Sequence, residues 1–164
     1  MKLISYKHAG RETWGAVSGD HVLDLAAATG CTTLAEFIAS PSYRERDAVA
    51  SSAKAGPRLA DVELLPVIPR PEKIICAVRN YMDHHQEALA AGLQRELSDF
   101  PPIFLRVWRS QVAHGQPVVR PRVSETLDWE GELAVIIGEG GRDIAEADAW
   151  KHIAGYSCYN DVSV

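Results

Sequence analysis

No stretch of the 164-residue sequence approaches the roughly 20 consecutive apolar residues that cross a bilayer. The opening MKLISYKHAG has no apolar core of the kind a secretory signal needs. Basic residues are also in short supply: 17 Lys and Arg stand against 22 Asp and Glu, the net charge is −5, and no Lys/Arg cluster occurs. A nucleic-acid partner or an anionic membrane surface is therefore not expected. Cysteine is scarce as well. Cys31, Cys76 and Cys158 are odd in number, far apart and free of CxxC spacing, which argues against a disulfide framework and against a cysteine zinc site. Reduced thiols in the cytoplasm are the simple expectation. Internal repeats and low-complexity segments are absent too.

What is present is the balance of a globular protein, 46% apolar and 24% charged residues. The first forty residues read as a small β-rich lobe. KLISY, WGAVSG and HVLDLAAA are short strand-like runs, with turns expected at Gly15, Gly19 and Asp20. TTLAEFIAS reads as a helix with Thr32 or Thr33 as N-cap. A further surface helix is expected between Pro41 and Gly56. LLPVIPRPEK then forces an extended path through Pro66, Pro69 and Pro71, which places a lobe boundary there: residues 1–68 before it and 69–164 after it.

Beyond the boundary, KIICAVRN reads as a buried strand, YMDHHQEALAAGL as a helix and IFLRVW as a strand. VAHGQPVVRP reads as two extended pieces around Gly115. ELAVIIG has the strongest strand pattern in the chain, and GEGGRD must be a loop. DIAEADAWKHIAGY reads as a helix opened by a capping box of Asp143 and Glu146, before a last strand in YSCYNDVSV.

The chemistry begins at LDWEGELAVIIG. Strand alternation puts Glu130, Glu132, Ala134 and Ile136 on one face and Leu133, Val135 and Ile137 on the other. Both faces turn apolar at once, so both are expected to be covered. The two glutamates start from Cα atoms about 6.5–7 Å apart. Carboxylates so close repel unless a cation or proton intervenes, and their oxygens suit Mg²⁺, Mn²⁺ or Ca²⁺. An isolated E-x-E is more often a solvated strand end, so a third ligand is required. Asp161, in the strand-like YNDVSV, supplies one. In NYMDHHQEA, His84 and Glu87 are neighbours on a helical turn, a histidine with a carboxylate to orient it as general base. On chemistry alone Asp83 and His85 are equal candidates.

KIICAVRNYMDHHQEA, LDWEGELAVIIG and AGYSCYNDVS together resemble, in order and spacing, the signature blocks of the fumarylacetoacetate hydrolase family. The resemblance implies an α+β fold, predominantly β: a small N-terminal β lobe followed by the first part of a twisted β-roll, usually dimeric, holding Mg²⁺ or Mn²⁺ with Ca²⁺ as a substitute. It implies Glu130, Glu132 and Asp161 as metal ligands, His84 and Glu87 as the catalytic dyad, and Tyr81 in the substrate site. Where the family commonly has Phe-Leu-Lys-Pro, this chain has Phe104-Leu105-Arg106-Val107, so Arg106 stands at the lysine position. An arginine there suits bidentate binding of a substrate carboxylate. Members continue well past the N-D-V block and carry a catalytic lysine beyond it, so the chain reads as part of a longer roll. The segment from Tyr81 to Phe100 is poor in large apolar residues, and in the family it is a lid.

The implied activity is metal-dependent hydrolysis of a C–C bond in a small acidic 1,3-dicarbonyl or 2-oxo acid of the acylpyruvate or fumarylpyruvate type, through an enolate. Decarboxylation or isomerisation of a related oxo-diacid is the alternative within the family. A non-catalytic binding protein is the alternative outside enzymes. The implied partners are a small oxo-acid substrate and a second copy of the chain.

Overall fold

The computed structural model describes residues 1–78, 80–93 and 99–164. Arg79, in the expected strand 73–80, and residues 94–98, in the Tyr81–Phe100 segment, lie outside the described residues. The chain divides into two compact units, one formed by Met1–Pro69 with Val112–Val164 and the other by Arg70–Gln111. Sheets dominate over helices, as expected.

The first unit is built on a five-stranded sheet of order β4-β3-β2-β1-β5. Its strands are β1 (Leu3–His8), β2 (Arg11–Ser18), β3 (His21–Asp24), β4 (Ala55–Arg58) and β5 (Glu63–Leu64). The β1–β2 hairpin turns at Ala9 and Gly10, both at positive φ (48° and 80°), as the twist of a two-residue hairpin requires. The sequence reading misses this turn because Ala9 is a poor advertisement for it. Gly15 is not a turn. It sits inside β2 opposite Ile4 and Asp24, where a Cβ would lie 2.0 Å from the Leu23 carbonyl oxygen. The expected turn at Gly19–Asp20 is present, joining Ser18 to His21.

HVLDLAAA divides in two. After β3, Asp24 caps helix α1 (Leu25–Thr29) by accepting from the Ala27 N–H, and Gly30, at φ 72°, ends it. Helix α2 (Leu34–Ala39) has Thr33 as N-cap with a full capping box. Its partner Glu36 also accepts from the Thr32 hydroxyl (2.8 Å) and N–H (2.7 Å), and these bonds hold its carboxyl below the ordinary value. A 3₁₀ turn (Pro41–Glu45) and helix α3 (Arg46–Ser52) occupy the expected surface-helix region.

Trp14, Ala16, Leu25, Ala26, Leu34 and Phe37 form one core. Trp14 stacks on Phe37 at 4.7 Å between ring centroids and donates its indole N–H to the Cys31 carbonyl (2.9 Å). Each of the large side chains in this core, such as Leu25, Leu34 and Phe37, contributes about 1.5–3 kcal/mol on burial. Every large, fully buried side chain among the described residues lies between Tyr6 and Phe37. Burial, with a smaller contribution from the charge of Asp24, pushes the Tyr6 hydroxyl above its ordinary value.

The same unit holds an antiparallel ribbon of β8 (Gly131–Ile137) and β9 (Ile153–Asn160). The Tyr43 hydroxyl donates to the Ala154 carbonyl of β9, and Tyr43 meets Phe37 edge-on at 5.6 Å. Gly138 lies so close to Ala154 and Ile38 that a Cβ would come within 2.9 Å and 3.3 Å of them. The aromatic core of the lobe therefore continues to the ribbon.

Three expectations for this region change. The helix read from Asp143 to Tyr156 is a 3₁₀ stretch, Glu146–His152, and Asp143 is no cap but a residue at φ 53°. From Ile153 the backbone pairs with β8, a long-range demand that overrides helical propensity. VAHGQPVVRP makes a turn at Gly115 (φ 78°) but enters no strand. Only one ribbon face is covered: Leu133, Val135 and Ile137 are 60%, 46% and 60% exposed. Alternation placed these residues correctly, but their cover would have to come from other elements, which alternation cannot supply.

The second unit contains the antiparallel pair β6 (Ile74–Ala77) and β7 (Ile103–Arg106) and helix α4 (Met82–Ala90) between them. Among the described residues no helix is long and apolar enough to cross a membrane, and none of the three cysteines is in a disulfide.

Candidate active site

The acids come together through register. Gly131 pairs with Asn160 and Glu132 with Tyr159, and one step further the Asp161 N–H donates to the Glu130 carbonyl (2.8 Å). Asp128 and Ser163 continue the ladder with reciprocal backbone bonds of 2.9 and 3.2 Å. Glu130 and Asp161 are thus direct cross-strand neighbours on one face, their Cβ atoms about 5 Å apart, and Glu132 is diagonal to Asp161 on that face. Asp161 is buried at 5% exposure, and the two glutamates are half-buried. Gly131 looks the other way, and the Trp129 ring lies over it, 3.1 Å from where a Cβ would be.

Two further residues bear on Glu130. The Glu130 N–H, which the ladder would direct to Asp161, donates instead to the Asn160 side-chain oxygen (2.9 Å). The Ser163 hydroxyl donates to Glu130 Oε1. Neither residue stands out in the sequence, although parity could have found Ser163, two places past Asp161 on the same face.

Three carboxylates, one of them buried, share a face of two hydrogen-bonded strands, and carboxylate oxygens are the donor type that suits a hard divalent cation. Among the described residues no three His, Cys, Asp or Glu side chains stand as a group that could hold a metal ion. Backbone register gives the three acids a common face without bringing their carboxylates together as one group.

The remaining candidates belong to the second unit. Tyr81, 43% exposed, occupies the N-cap position of α4 without a side-chain cap bond. His84 and Glu87 are exposed and one turn apart, and Ala88 is the one buried residue of that helix. Met82, Leu89 and Leu93 are all about half exposed, so α4 gains little from packing, in keeping with the apolar-poor sequence of the segment. Arg106, half-buried at the end of β7, shares a face with Ile74, Cys76 and Phe104 and stands 5.5 Å from the Phe104 ring centroid.

A family model described as fumarylacetoacetate (FAA) hydrolase C-terminal matches residues 73–164. The oxaloacetate tautomerase YisK of Bacillus subtilis is 38% identical over 107 residues, 64% of this chain and 35% of that protein. The human mitochondrial oxaloacetate tautomerase FAHD2A is 34% identical over 176 residues, covering 99% of this chain and 53% of that protein. Among solved structures, a fumarylacetoacetate hydrolase of Exiguobacterium antarcticum aligns with TM-score 0.76 at 34% identity over 99% of this chain and 56% of its own. A maleylpyruvate hydrolase of Sphingobium, in complex with manganese(II) and pyruvate, aligns with TM-score 0.77 at 28% identity over 100% of this chain and 59% of its own. The chain spans about half, or less, of the length of the curated relatives it matches.

Proposed function

The chain belongs to the fumarylacetoacetate hydrolase family, and from that premise we propose that it serves a divalent-metal-dependent enzyme of small 2-oxo diacids that works through enolate chemistry. The observation that carries this reading is the single ribbon face shared by Glu130, Glu132 and Asp161. These three would hold Mg²⁺ or Mn²⁺, for which Ca²⁺ could substitute. The cation, when bound, supplies positive charge where negative charge develops on the substrate oxygens.

The rest falls to the chain's own side chains. His84, oriented by Glu87 one turn away, moves a proton at the substrate carbon or takes one from water. Arg106 offers a planar fork to a substrate carboxylate, and the Tyr81 hydroxyl a neutral hydrogen bond. Proton transfer at carbon without water gives keto–enol isomerisation. Proton transfer from water, with attack on the distal carbonyl, gives cleavage of the C–C bond. Hydrolysis of an acylpyruvate-type substrate is the reaction the sequence blocks suggest. Tautomerisation is the second reading, favoured by relatives called oxaloacetate tautomerases at 34–38% identity, against 28% for the maleylpyruvate hydrolase. Residues 69–164 form part of the catalytic domain in this reading, and the enzyme works as a cytoplasmic homodimer.

The test is a panel of oxaloacetate, acylpyruvates and fumarylpyruvate with Mg²⁺ or Mn²⁺. Enol absorbance and product identity are followed together with calorimetric metal binding. Loss of the enol band without new products marks tautomerisation, release of pyruvate together with a second carboxylic acid marks hydrolysis, and release of pyruvate with CO₂ marks decarboxylation. Absence of both Mn²⁺ binding and turnover across the panel would sink the proposal.

A further inference from the structure

We propose that Ser163 is a positioning residue for the metal site: its hydroxyl occupies one carboxylate oxygen of Glu130 and so presents the other to the cation. The inference rests on the metal-site reading given above and adds to it a residue outside the ligand set.

Glu130 has more to gain from being held than Asp161 does. Asp161 has a short side chain and is buried. Glu130 is half-buried on a longer side chain with more rotatable bonds, and ordering such a chain costs rotamer entropy. Two bonds meet that cost in the structure. The Asn160 side-chain oxygen takes the Glu130 N–H and pins the backbone from which the side chain starts. The Ser163 hydroxyl then donates to Oε1 and fixes the far end. A hydroxyl directed at a carboxylate makes a charge-assisted bond, about twice as strong as a neutral one.

Ser163 is itself held. Its N–H and C=O both bond to Asp128, so its side chain emerges on the acidic face, diagonal to Glu130. Since Oε1 accepts from the hydroxyl, Oε2 is the oxygen left for a cation. The hydroxyl also supplies partial positive charge among three like-charged neighbours, which lowers the repulsion that opposes their convergence. Partners of this kind around metal-ligating carboxylates typically change metal affinity by about 10–100-fold when removed.

The experiment is calorimetric titration of the full chain with Mn²⁺, together with the thermal midpoint of the metal-free protein, for wild type, Ser163→Ala, Ser163→Thr and Ser163→Cys. Ser163→Ala is expected to weaken Mn²⁺ binding by about 10-fold or more while the metal-free midpoint stays close to wild type. Ser163→Thr keeps the hydroxyl and should restore most of the affinity. Ser163→Cys is nearly isosteric with a far weaker donor, so it should behave like the alanine variant, and it replaces that variant if the latter does not fold. Wild type that binds Mn²⁺ tightly, with alanine and cysteine variants that bind equally well, overturns the role of Ser163. So does an affinity loss that merely follows a fall in the metal-free midpoint. Wild type that binds no Mn²⁺ instead refutes the metal site beneath it.

Discussion

Replacing Phe37 with alanine tests whether the first unit hangs on a single aromatic core. Phe37 is fully buried, stacked on Trp14 at 4.7 Å and met edge-on by Tyr43 at 5.6 Å. Deleting a buried ring costs about 3–5 kcal/mol, and the two ring contacts, worth about 0.5–1.5 kcal/mol each beyond area, place the expected loss near the upper end. A domain of this size has about 5–15 kcal/mol in all, so the loss takes a large share of it and should lower the thermal midpoint by about 10–20 °C. The effect should also travel. Tyr43 loses a wall of its packing, and its hydroxyl is bonded to the Ala154 carbonyl of β9. Amide hydrogens of the β8–β9 ribbon should therefore exchange faster in the variant. The control is Leu89→Ala on α4, where the side chain is 47% exposed and the cost should be within about 0.5 kcal/mol. Urea unfolding followed by circular dichroism gives both numbers. A Phe37→Ala loss below about 1 kcal/mol, or one matched by Leu89→Ala, would refute the reasoning, because stability would then lie outside the Trp14–Phe37 cluster.

Changing His84 to glutamine should lower kcat by about 10²–10⁴-fold while Mn²⁺ affinity stays at wild type; a parallel loss of metal binding would make His84 a ligand. Arg106→Met should raise KM for oxo-diacids by about tenfold, near 1.4 kcal/mol, and leave mono-acids almost unchanged, whereas an equal loss for both would assign Arg106 to the fold. Bonds from the Thr32 hydroxyl and N–H lower the Glu36 carboxyl in the folded chain, so its contribution is present above the ordinary value of 4.5 and fades as pH falls through the lower folded value. Glu36→Gln should flatten that acid-side decline in urea midpoints, and an unchanged slope would remove Glu36 as its source.

The sequence alone determined those parts of this protein whose causes are local or periodic. Thr33 and Glu36 make a capping box because both partners lie within one helical turn, and α2 begins where they place it. Residues 131–137 form a strand because an apolar run of that length, entered by glycine, has few other uses, and alternation alone puts Glu130 and Glu132 on one face. The helix carrying His84 and Glu87 was readable from spacing in the same way. Tertiary structure decided what depends on a distant partner. Ile153–Tyr156 looks helical by local pattern and becomes a strand because β8 needs its hydrogen bonds. Leu133, Val135 and Ile137 are apolar yet exposed, since alternation assigns a side chain to a face but not the element that would cover it. The neighbourhood of Asp161 and Glu130, and the hydroxyl of Ser163 on that glutamate, follow from a register set by pairing across thirty residues of intervening chain, a long-range relation that neither composition nor period contains.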